Sequence, residues 1–195
     1  MPAEVEELEC PGCGFPVAIG TTKCPKCQRE ITIRTFNDIS AFSPMELNKQ
    51  NRSYKKAFAG NQDNPDLNMS MAFVDLKLKL YDEAISHFQK AMEEEFDNPD
   101  LYFYGAVALL RGKKAFLAKR ADIDKAEEYI NAALTIEEKG IYYLLFAYIR
   151  SDFHKRKYLQ ASPDFQELLG MAASAGYSPA DEAELFSLLN VDDPF

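Results

Sequence analysis

The chain has 195 residues, 47% of them hydrophobic and 27% charged, a composition that supports a folded core and excludes wholesale disorder. Its longest apolar runs, 101–110 and 141–149, reach about half the length of a bilayer span, and the acidic opening Met1–Glu7 lacks the basic and apolar regions of a secretion signal. A formal net charge of −9 disfavours generic attraction to nucleic acid or anionic membrane, so the expectation is a cytoplasmic chain with no membrane partner.

All four cysteines fall in the first 27 residues, as Cys10-Pro11-Gly12-Cys13 and Cys24-Pro25-Lys26-Cys27, with ten residues between the pairs. Two such knuckles supply four thiolates, each pair wrapping one side of a tetrahedral ion. Soft sulfur donors select Zn²⁺, with iron second. Disulfides are disfavoured in a reducing compartment, and a catalytic dithiol needs one pair and a thioredoxin-like context that is absent. Four thiolates leave no position for water or substrate. The expected Zn²⁺ site is therefore structural, replacing a core that so short a segment cannot build. Gly12 and Gly14 are expected to free the first knuckle for a positive-φ turn, with Lys26 and Gln28 making a less ideal second one. The alternation in Glu30–Arg34 predicts a closing strand. Residues 8–34 resemble the short zinc-ribbon family, with Gln28 where that family has glycine, and the resemblance implies metal binding.

Residues 1–35 thus read as one module and 36–43 as a linker. Ser43-Pro44-Met45-Glu46 is a capping box with proline in the first turn, predicting a helix that Gly60 closes. Asp63–Leu67 recurs as Asp97–Leu101, 34 residues later, and Tyr54–Ala57 aligns with Phe88–Ala91. A 34-residue period predicts repeated helix pairs. First helices are expected to begin near Pro65, Pro99 and Gly140, with the small residues Ala72, Ala106 and Ala147. Second helices fall at 81–92 and 123–134, where Ala84, Phe88, Ala91 and Ala126, Ile130, Ala133 supply the small and large positions of close helix packing. The 42-residue step between those two copies places an insertion over 111–120. Ser162-Pro163-Asp164 and Ser178-Pro179-Ala180 start two further helices, the last a cap over about 179–190.

This pattern resembles the tetratricopeptide family over about 44–176, without tryptophan and with Asp75 in place of an expected aromatic. The implied fold class is mostly α: a small zinc ribbon with short β strands over 1–35, then an all-α helical-hairpin solenoid over 44–195. In that family the first helices line a concave groove. Carried across, the resemblance implies an apolar groove for a protein or peptide, lined by Met69, Phe73 and Leu76, then Phe103, Val107 and Leu110, then Leu144 and Tyr148. Met69, Phe73 and Phe103 stand where the family's carboxylate clamp has lysine, arginine and asparagine, so that clamp is absent.

Positive charge is concentrated, with a balance of +4 over 111–125 and +3 over 150–157. Arg111, Lys113, Lys114, Lys119 and Arg120 occupy one inter-helix turn, and Arg150, Lys155, Arg156 and Lys157 the next. Together they form a candidate patch for an anionic or acidic partner. The ending Asp192-Asp193-Pro194-Phe195 is similar to the tail of bacterial single-stranded-DNA-binding proteins, and is read here as an ordinary terminal tail. No catalytic constellation emerges, because His87 and His154 have no nucleophile partner and there is no Gly-rich phosphate loop. The expected function is a non-catalytic adaptor with a protein or peptide partner and no small-molecule substrate. The alternative is a nucleic-acid-associated factor using the ribbon and the basic turns.

Overall fold

The computed structural model describes residues 7–192 and 194–195. The acidic opening over 1–6 and Asp193 of the tail, both read above, lie outside the described residues. Among the described residues are eight α-helices and one two-stranded sheet, so the fold is mostly α. The chain divides between Phe96 and Asp97 into two compact units, rather than at the expected boundaries of 35 and 43. The packing of the first unit gives the reason.

In that unit β1 (Glu7–Glu9) pairs antiparallel with β2 (Pro16–Ala18), Leu8 opposite Val17. The strand expected over 30–34 does not form: a single bridge joins Lys23 to Glu30, and Ile31, Thr32 and Ile33 are buried in succession, not alternately. They are enclosed by α1 (Pro44–Phe58) and α2 (Pro65–Lys77), which bond the ribbon's backbone from both sides. The Tyr54 hydroxyl donates to the Ile31 carbonyl (2.5 Å), Gln50 donates to the Glu30 carbonyl (3.1 Å), and the Ile33 N–H donates to Ser70 Oγ (2.9 Å). The segment expected as a linker is also packed. Its 3₁₀ turn Phe36–Ile39 buries Phe36 and Ile39, and Lys77 Nζ donates to the carbonyls of Ile39 and Ser40.

Local signals set the helix starts. Ser43 and Glu46 form the expected capping box on α1, and Asn64 caps α2 ahead of Pro65. Helix α3 (Tyr81–Glu94) pairs with α2, burying Ala84, Phe88 and Ala91 completely, with the Phe73 and Phe88 rings edge to face at 5.5 Å.

In the second unit α4 (Pro99–Leu109) pairs with α5 (Arg120–Ile136), and α6 (Gly140–Ile149) with α7 (Phe165–Ala175). The insertion ahead of α5 carries a 3₁₀ turn, Ala115–Leu117. Helix α6 continues into a π-helical turn, Arg150–His154, and then a 3₁₀ turn, Lys155–Lys157, which ends at Tyr158 with φ 58°. Within the Ser162-Pro163-Asp164 start signal the cap of α7 is Asp164, whose carboxylate accepts from the N–H groups of Gln166 and Glu167. Helix α8 (Pro179–Leu189) starts at the expected Ser178 cap and packs against α6. Among the described residues no helix is long and apolar enough to cross a membrane.

Candidate functional site

The four cysteines converge. Their Sγ atoms all lie within 4.8 Å of one another, with Cys10 and Cys27 at 3.6 Å and Cys13 and Cys24 at 3.7 Å. These separations are far beyond a disulfide bond of about 2.05 Å. They approach the edge of about 3.8 Å expected of a tetrahedron whose corners lie about 2.3 Å from Zn²⁺. Each short contact joins one cysteine from each knuckle. Backbone bonds shape both turns: Gly14 N–H donates to the Cys10 carbonyl (2.8 Å) and Gln28 N–H to that of Cys24 (2.9 Å). Gly14 (φ 72°) and Gln28 (φ 60°) are both left-handed, so the second knuckle takes the same turn despite its Cβ. Gly12 has a different role from the one expected. Its φ is not positive, and an added Cβ would lie 2.8 Å from Arg29 Nε. That guanidinium bonds Glu46 at 3.0 Å, tying the second knuckle to the start of α1. Burial pushes the Cys10 thiol up to about 12, so an incoming cation displaces protons. The donor set fits a four-coordinate, thiophilic cation with no open position.

The expected groove is not an open surface. Met69, Phe73, Leu76, Phe103, Val107, Leu110, Leu144 and Tyr148 are each at most 4% exposed. They are core: Phe73 packs on Phe88, Phe103 lies 4.9 Å from the Tyr142 ring, and Tyr148 meets Phe186 of α8 at 6.3 Å while its hydroxyl accepts from Ala115 N–H. Family geometry alone does not anticipate α8 lying on α6.

The two basic turns do meet. Phe116 N–H donates to Asp152 Oδ2 at 2.8 Å, which docks the insertion on the π-helical turn. Arg156 and Lys157 stack on the Phe116 ring at 4.3 and 5.1 Å, and Lys157 also lies 3.8 Å from the Phe153 ring centre. Lys113, Lys114, Lys119, Arg120, Lys155 and Arg156 are exposed, whereas Arg111 and Lys157 are half-buried. Arg150 is not a free member of this surface. Its NH1 and His154 Nε2 both bond Glu127 Oε1, at 2.9 and 2.6 Å, in a cluster whose three side chains are at most 15% exposed.

Sequence reasoning missed Glu127, although Arg150 and His154 stand four apart and so share a helical face. It also missed a second buried polar cluster in the first unit. There Asn51 donates to Asp75 Oδ1, His87 Nε2 lies 3.7 Å from Asp75 Oδ2, and His87 Nδ1 lies 3.0 Å from Asn68 Oδ1.

No protein-family model matches this sequence, and no curated protein matches it. A solved structure titled "MamA MSR-1 C2" superposes with a TM-score of 0.54 at 18% sequence identity, covering 67% of this chain and 70% of that one. At that identity the likeness is one of fold, and the fold is the tetratricopeptide-like arrangement of helical hairpins.

Proposed function

We propose that the chain is a non-catalytic adaptor of the reducing cytoplasm that binds an acidic segment of a protein partner. The observation that carries this is the contact between the 111–120 and 150–157 turns, which together expose six cations, of which Arg120 and Arg156 pair with Asp124 and Asp152. Tetratricopeptide-like folds serve protein recognition, and the MamA-like hairpins support that class. The four-cysteine site holds Zn²⁺ as a structural ion, since a filled thiolate sphere offers no catalytic position. Nucleic acid is the weaker reading. The exposed charge suits phosphate, but the Phe116 ring is already stacked by Arg156 and Lys157 and gives no free platform for a base.

The test is a pull-down from native lysate in nuclease-treated and untreated halves, comparing wild type with a Lys113→Glu/Lys114→Glu/Lys119→Glu triple variant. These three lysines are exposed, so the fold is expected to survive their reversal. A discrete protein that survives nuclease and is lost from the variant is the expected result. Recovery of nucleic acid, with proteins lost after nuclease, replaces the adaptor with the nucleic-acid reading.

A further inference from the structure

Two short segments of this chain carry exposed charge of opposite sign, and each holds one large apolar side chain in the open. The first is the insertion turn, where Lys113, Lys114 and Lys119 are exposed and Leu117 is 67% exposed. The second begins at the end of α3, where Glu93, Glu94 and Asp97 are exposed and Phe96 is 69% exposed. A solitary exposed apolar residue is ordinary surface. These two differ because the charges beside them are uncommitted: none of the six charged groups has an ion pair or hydrogen bond among the described residues.

Both segments are held in place. In the turn, Ala115 N–H donates to the Tyr148 hydroxyl (3.1 Å) and Phe116 N–H to Asp152 (2.8 Å), so Leu117 stands on a braced backbone. The acidic segment runs between Met92, buried in α3, and Asn98, whose side chain accepts from Asp100 N–H at the start of α4. Such preorganisation lowers the entropy cost of association. Asp97 precedes the start of α4 and the turn follows its end, about 16 Å of helix apart, so Asp97 and the lysines meet between copies and not within one. Other acidic runs fit the turn less well. Ile136 is 39% exposed beside Glu137 and Glu138, but Lys139 pairs with Glu137 and the Tyr143 hydroxyl donates to Glu138. Phe195, near Asp192, already lies 6.4 Å from the Phe186 ring.

We infer that the chain self-associates head to tail, Phe96 of one copy packing on Leu117 of the next while Glu93, Glu94 and Asp97 face Lys113, Lys114 and Lys119. The contact joins two different surfaces, so it is heterologous. It occupies the turn that the adaptor reading gives to an acidic partner and rests on that reading for its regulatory meaning: a neighbouring copy masks the turn until a partner displaces it. Exposed ion pairs contribute little singly and the patch is small, so the dissociation constant is expected at about 0.1–1 mM. The test is sedimentation equilibrium of the full-length, metal-loaded protein across that range, with two charge-reversal variants. Lys113→Glu/Lys114→Glu/Lys119→Glu reverses the turn and Glu93→Lys/Glu94→Lys reverses the segment. All five residues are exposed, so both variants are expected to fold. The expected result is association of wild type, monomers for each variant alone, and regained association in their equimolar mixture, where the reversed surfaces are complementary again. Leu117→Asp is expected to weaken wild-type association about tenfold. A monomeric wild type, a single reversal variant that still associates, a mixture that stays monomeric, or no effect of Leu117→Asp each overturns the proposal. Partner capture by a chain that stays monomeric fails this inference alone, and self-association without a captured partner fails the adaptor reading alone.

Discussion

At the scale of single residues, Asp75 is the departure from the repeat pattern with the largest physical consequence. Burial pushes its carboxyl up to about 7 and the imidazole of His87 down to about 4. Between about pH 4 and 7 the unfolded chain ionises Asp75 while the folded chain keeps its proton, so this group makes stability fall as pH rises through that window. His87 acts oppositely, because the unfolded chain gains a proton as pH falls from about 6.5 towards 4 and the folded chain does not. The two slopes offset each other. Asp75→Asn keeps the acceptor for Asn51 and adds a donor facing His87, so it is expected to stabilise by about 2–4 kcal/mol above pH 7, with the gain vanishing near pH 4. Urea melts at pH 8 and pH 4.5 check this, and an equal change at both values would remove the buried carboxyl from the account. Gly140 makes a second prediction. A Cβ there would lie 2.4 Å from the Gly176 carbonyl oxygen and 2.6 Å from that of Ala172. Both are backbone atoms that cannot swing aside, so Gly140→Ala is expected to cost about 2–3 kcal/mol in thermal or urea unfolding. The sequence marks Gly140 as a helix start; only the contact with α7 shows why the residue is glycine.

At the scale of elements, legibility followed the range of the signal. Starts of α1, α2, α4 and α8 were readable because a cap and a proline act within one turn. The small positions Ala72, Ala106 and Ala147 were readable because periodicity survives without tryptophan, and all three are fully buried. The strand over 30–34 was not, since period-two alternation assumes one wet face and both faces of that segment are covered. The groove failed for a similar reason: the side chains chosen for their apolar character are the ones packing buries. The four cysteines, by contrast, carry their geometry in their spacing. Bonds from Gln50, Tyr54 and Ser70 to the ribbon's main chain make the ribbon part of the α1–α2 core. Cys24→Ser is therefore expected to raise amide hydrogen exchange along 44–77 as well as in the ribbon, while 120–149 keeps its protection. Exchange confined to residues 7–34 would instead show an autonomous ribbon.

At the scale of the molecule, a chain of net charge −9 with exposed lysines on two touching turns makes the proposed association steered and salt-sensitive, in contrast to the salt-insensitive apolar groove that the repeat family suggests. The partner capture described above should accordingly weaken between 0.1 and 0.5 M salt, values that span Debye lengths of about 10 to 4 Å. The ribbon's union with α1 and α2 has a consequence for the living cell. Ile31, Ile33, Phe36 and Ile39 are buried almost completely against their surroundings, and the segment that carries them follows directly on the second cysteine knuckle. On the proposed reading of this site as a structural Zn²⁺ site, a polypeptide leaving the ribosome in a zinc-starved cell would expose this greasy strip to chaperones and proteases. Its steady-state abundance should then report the cell's zinc supply, with turnover rising under starvation before any partner is met.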